Sequence, residues 1–274
     1  MRKIRSWVVL LWGTATVWIH AAPGQEVATT EQTTPSVAAI TDQPFAATKY
    51  SRIVQNLPDG KQMIKSERHS IRLARDAAGR MRVEGDNPPW DCEDLTLPLP
   101  PKCPVSSVAV FDPSTGAMTH WPEGEMGAHV AVAMNLSTTQ LEDLAKSTLA
   151  IPDLTRDLDE EGATATTEDL GEKTIEGVDS HGVRTTATLP AGHLGNKPPK
   201  TTIHEVWVST TMHLVMKVID GDPQNEETIS GLEHVTLSPG AALFSPPSGY
   251  EVQYGNGSRY ATSDIDSFAK WFVK

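Results

Sequence analysis

Cysteine is nearly absent from this 274-residue chain, which has only Cys92 and Cys103. Their spacing excludes a CxxC redox centre or a thiolate zinc site. Aromatic residues are scarce at 6%, and three of the seven tryptophans (Trp7, Trp12 and Trp18) lie near the N-terminus. The remainder is rich in threonine, which suits sheets better than helix bundles. Positive charge is also short, with 23 Lys and Arg against 35 Asp and Glu and a net charge of −12. Nucleic-acid affinity comes largely from Lys and Arg displacing counterions, so DNA or RNA is not an expected partner.

What is present begins with "MRKIRSWVVLLWGTATVWIHAAPGQ". Arg2, Lys3 and Arg5 precede an apolar run from Ser6 to Ile19 and then small residues, the pattern of a secretory leader. The run is shorter than the span of about 20 residues that a membrane helix needs. Cleavage is expected after Ala21, giving an exported chain, periplasmic or extracellular, that is not an integral membrane protein. The leader carries three positive charges and no acid, so its removal takes the charge from −12 to −15. In an oxidising compartment the two cysteines of "WDCEDLTLPLPPKCP" read as a disulfide closing a proline-stiffened loop.

Residues 22–44 lack apolar periodicity and read as a disordered linker. From Phe45 the chain alternates in strand fashion. Pro58-Asp59-Gly60 and Asp76-Ala77-Ala78-Gly79 divide residues 45–85 into three strands, and Asp112–Gly116 centres another hairpin. "STTQLEDLAKSTLAI" is the one clear internal helix, capped by Ser137 or Thr138, with Leu141, Leu144, Ala145 and Leu149 at helical spacing. The acidic stretch Asp157–Glu168 reads as a loop. Strand patterns then resume to residue 252. The expectation is a mainly β, α+β domain over residues 45–252, a curled antiparallel sheet of about ten strands with one or two helices. Residues 253–274 form a C-terminal extension, in which Ile265, Phe268 and Phe272 mark the apolar face of a second helix.

Asp179, Ser180 and His181 are the residue types of a hydrolase triad. They are consecutive, no GxSxG elbow surrounds Ser180, and triad members must converge in space. They read as a turn. "HEVWV" begins like a zinc-protease HExxH motif, but Val208 stands where the second His is needed and the segment alternates as a strand. The other histidines lack paired ligand spacing, and no catalytic residue, metal site or cofactor is assigned. Leu214, Met216 and Val218 share one face of their strand. On the neighbouring strand Val206 and Val208 face away from Trp207. These six are the candidate lining for an apolar ligand.

The order "EDLGEKTIEGV…GVRTTATLPAGHLGN…IHEVWVS…LVMKV…ETISGLEHVTLSPGAALFSPPSGYEV" resembles a group of exported bacterial proteins. More distantly, it resembles the outer-membrane lipoprotein carrier and sorting family, including the related sensor domain that regulates an envelope-stress anti-sigma factor. The resemblance implies a half-open, curled antiparallel sheet, a half-barrel, whose concave face is plugged by helices and takes acyl chains in the carriers. Carriers begin with an amphipathic helix, and residues 22–44 show none. Three functions follow from these patterns. The first is a non-enzymatic envelope binding module for a lipid, acyl chain or lipoprotein. The second is a protein-interaction or sensor domain that contacts an envelope protein, and the third is an exported hydrolase that no motif supports. Oligomeric state is not readable from the sequence. Non-reducing peptide mapping of exported protein should find Cys92 joined to Cys103, and free thiols at both positions would refute that pairing.

Overall fold

The computed structural model describes residues 40–86, 106–123, 129–149, 163–192 and 199–255. Cys92, Cys103, the leader, most of the proposed linker and the C-terminal helix lie outside the described residues. Twelve strands form one sheet: β1 (Phe45–Asn56), β2 (Gln62–Arg75), β3 (Met81–Asp86), β4 (Ser106–Asp112), β5 (Ala117–Glu123), β6 (Val130–Asn135), β7 (Thr164–Ile175), β8 (Val178–Leu189), β9 (Lys200–Ser209), β10 (Leu214–Gly221), β11 (Glu226–Thr236) and β12 (Glu251–Tyr254). Among the described residues, one α-helix, α1 (Thr138–Leu149), follows β6, and a short 3-10 turn (Ala241–Phe244) precedes β12. The fold is mainly β, a large open antiparallel sheet consistent with a curled half-barrel.

The strand order is β12-β6-β5-β4-β3-β2-β1-β11-β10-β9-β8-β7. Two meanders, β1 to β6 and β7 to β11, therefore join where β1 pairs with β11. All ladders are antiparallel except β12 on β6, which is parallel. The strand count exceeds the expectation by β6 and β12. β6 is a six-residue strand, and β12 has only four residues beyond a proline-rich stretch, too short to show a periodicity of their own.

Local chemistry explains the turns. Asp59, Asp76 and Asp112 each accept a backbone N–H two residues on, and Gly60, Gly79 and Gly116 take positive φ. The β7–β8 turn differs from its sequence reading. It consists of Glu176 and Gly177, both at positive φ, with Ile175 opposite Val178, as a two-residue hairpin requires. Asp179, Ser180 and His181 are thus the beginning of β8, not the turn. Helix α1 starts with a reciprocal capping box. Gln140 N donates to Ser137 Oγ at 3.3 Å, and Ser137 N donates to Gln140 Oε1 at 2.8 Å.

The sheet buries residues on both faces. On the helix-covered face, Leu141 and Leu144 of α1 join one cluster with Phe45, Leu73, Met81, Phe111, Met118 and Leu232. On the opposite face, Val108, Val110, Trp121 and Ala131 pack with Phe244 of the 3-10 turn. Arg75, at the end of β2, is 2% exposed and ties three segments together. Its Nε donates to Gln43 O at 2.9 Å, its Nη2 donates to Met212 O at 2.8 Å, and its guanidinium lies over the Phe45 ring. Burial pushes its pKa down to about 10. Arg75→Ala should leave two carbonyls unpaired and cost about 3 kcal/mol or more, measured by urea denaturation.

Candidate functional site

Cross-strand register fixes which side chains share the helix-covered face, since directly opposed residues point the same way. Val218 lies opposite Ser230, two residues from the core residue Leu232. Val206 lies opposite Val218, and Val183 opposite Val206. Val206 and Val208 are 4% and 0% exposed. Leu214 and Met216 are buried in the cluster beneath α1, with Met216 at an irregularity in the β9–β10 ladder. Five of the eight methionines (Met81, Met118, Met134, Met212 and Met216) belong to that cluster. Methionine is unbranched and polarisable, so such a cluster can repack around different shapes. Lys49 sits opposite Leu232 and Ile71 on this face, and burial pushes its pKa below the usual lysine value.

Trp207, the sixth candidate, points to the face of β9 opposite Val206 and Val208. Its ring covers Gly182, where an added Cβ would come within 2.6 Å of the indole. Trp207 Nε1 donates to Glu205 Oε1 at 2.6 Å, and Arg184 donates to Glu205 Oε2 through Nε at 2.9 Å and Nη2 at 2.5 Å. Burial raises the Glu205 pKa, but the hydrogen bonds from Trp207 and Arg184, with the charges of Arg184 and Lys217, hold it below the ordinary glutamate value. The Glu-x-Trp pattern is therefore a structural clamp. It is separate from the valine stripe.

One polar row crosses β8, β9 and β10 on the face of Val206 and Val218, and sequence reasoning missed it. Thr185, His204 and Asp220 are directly opposed on β8, β9 and β10. His204 Nδ1 lies 2.6 Å from Asp220 Oδ1. Thr185 is buried, and its hydroxyl meets Thr167 Oγ1 at 3.4 Å. The row has the hydroxyl–imidazole–carboxylate order of a nucleophile triad, but the Thr185 hydroxyl bonds to Thr167, away from His204. Only strand register brings these three together, so no local motif could reveal them.

The Asp179-Ser180-His181 segment disperses its polar groups. Asp179 accepts from Thr174 Oγ1, Ser180 is 1% exposed and donates to Val178 O, and His181 faces Glu172 and Asp169 of β7. Ser180 is thus buried, contrary to the exposed position that a turn would give it. Among the described residues, no group of three His, Cys, Asp or Glu is placed to hold a metal ion. No described helix is long and apolar enough to cross a membrane.

No family model and no curated protein matches the chain. Among solved structures, PNGF-II is 11% identical, with a TM-score of 0.29 over 78% of this chain and 32% of that one. The chain therefore spans about a third of the length of PNGF-II. Lipoprotein LppX of Mycobacterium tuberculosis is 11% identical, with a TM-score of 0.26 over 71% of this chain and 87% of that one. A domain described as an outer membrane lipoprotein-sorting protein, from Vibrio parahaemolyticus, is 10% identical, with a TM-score of 0.21 over 72% and 86%. Similarity this low transfers no activity. Gly182→Ala should drive a methyl group into the Trp207 ring and destabilise the protein by about 1–3 kcal/mol. A shifted tryptophan emission spectrum and a lower denaturation midpoint would report it, and an unchanged midpoint would refute the close packing.

Proposed function

We propose that this chain is an exported, non-enzymatic binding module of the cell envelope that holds a lipid or acyl chain against the helix-covered face of its sheet. The observation that supports this reading is the methionine-rich apolar cluster beneath α1. Helix α1 contributes Leu141 and Leu144 to that cluster, and β10 adds Leu214 and Met216. Apolar binding sites combine such a lining with few polar groups, and here the Thr185–His204–Asp220 row and Lys49 supply them. The acidic surface argues against an anionic membrane or nucleic acid as the partner. The leader-like N-terminal sequence and the apolar sheet face fit carriage or sensing of an apolar molecule better than turnover of one.

Protein recovered from the periplasm should be examined by native mass spectrometry and by mass spectrometry of its organic extract. The expected result is an acyl-containing species at near one per chain, lost when Val206 and Val218 are both replaced by Asp. A ligand-free protein that also fails to bind fluorescent fatty-acid probes would overturn the reading.

A further inference from the structure

The face opposite α1 carries a cleft of about 160 Å³ that the proposed function does not use. Its floor is made of small residues, Ala46 and Thr48 of β1 and Ala74 of β2. Ala46 lies opposite Ala74, so two short side chains meet where larger ones would close the surface. Arg72 rises on one side and Leu243 of the 3-10 turn on another.

The far wall is His234, and its placement is unusual. The β1–β11 register shifts between Ala46 and Thr48, and His234 takes a φ of 55° there. A positive φ is uncommon outside glycine, and bulges re-aim side chains at binding sites. The His234 N–H is tied to Glu176 Oε2 at 3.0 Å, which holds the backbone in this conformation.

The cleft is built around charge. Arg82 and Glu84, at side-chain exposures of 6% and 7%, form an ion pair at 2.7 Å. Arg82 also donates to Leu243 O at 2.8 Å, which fixes the wall contributed by the 3-10 turn. Arg72 pairs with the other oxygen of Glu84 and remains 67% exposed. A guanidinium has five N–H donors, so Arg72 keeps donors for a further acceptor. Arg82 is also paired with Glu123 at 3.2 Å, so its charge is spent within the protein and Arg72 is the arginine of the lining that faces solvent. The neighbouring Glu233 is engaged by Arg52 Nη2 at 2.9 Å.

We propose that this cleft binds a small apolar carboxylate, with its hydrocarbon part over Ala46 and Ala74 and its carboxylate on Arg72. The volume matches such a ligand, since a cavity of about 150 Å³ accepts benzene. An arginine fork recognises a planar carboxylate with two parallel hydrogen bonds.

Isotope-labelled protein titrated with benzoate, benzamide and acetate tests this, read by amide chemical shifts and calorimetry. Benzoate should shift the Thr48, Arg72 and His234 amides saturably. It should bind about tenfold or more tightly than benzamide, which lacks the charge, or acetate, which lacks the apolar body. Arg72→Gln, which keeps an N–H donor for Glu84, should abolish the preference for benzoate over benzamide in protein that still unfolds cooperatively. Ala46→Leu should block both ligands. Equal affinity for benzoate and benzamide, an unchanged preference in Arg72→Gln, or no saturable shift at these amides would each overturn the assignment.

Discussion

The ladder between β1 and β11 makes one sheet out of two meanders. Every other neighbouring pair, except β12 on β6, joins strands consecutive in sequence. The seam is fitted closely. At Gly231 a Cβ would come within 2.5 Å of Met216 O and 3.3 Å of the Tyr50 hydroxyl, so only glycine lets β10, β11 and β1 approach. Across it Arg52 reaches Glu233 from β1 and also pairs with Glu67 on β2, while its guanidinium covers Tyr50. Arg75 closes the same seam at the other end of β1 by holding Gln43 and Met212. The two faces, with their separate clusters, exist because this ladder holds the halves in register.

The open edges of the sheet are protected in the way exposed strands require. β7 carries Glu168, Asp169, Glu172 and Lys173, and its ladder is interrupted beside Gly171. Residues Lys61–His69 are exposed throughout, and there β2 carries Lys65, Glu67, Arg68 and His69 and two register shifts. Charges and bulges make such edges poor templates for a second chain. They also account for the imperfect alternation along these strands, since edge residues answer to solvent on more than one side.

Much of the architecture was legible in the sequence because turn chemistry is local. Asp59, Asp76 and Asp112 announce their hairpins through a single side chain bonding its own backbone, and Ser137 announces the helix as one of its two candidate caps. The opening of β8 misled because Asp and Ser favour turns, whereas Glu176 and Gly177 supply the backbone shape that this one needs. The site was legible only in part. Alternation separated Trp207 from Val206 and Val208, but it could not show that Glu205 and Arg184 would meet beside the indole. Nor could it place Thr185 opposite His204 or set Arg72 over Ala46 and Ala74. Those placements depend on register between strands far apart in sequence, to which a reading by local pattern has no access.

Arg52 and Glu233 meet across 181 positions of chain. The first meander therefore cannot gain its partner strand until nearly the whole polypeptide is present. Contacts of such separation form late and slowly, because the intervening loop must be ordered before any pairing rewards it. A chain built this way stays unlocked while its C-terminal third is still emerging. A chain cut anywhere before β11 would leave β1 with a bare edge, open to pairing with a second copy.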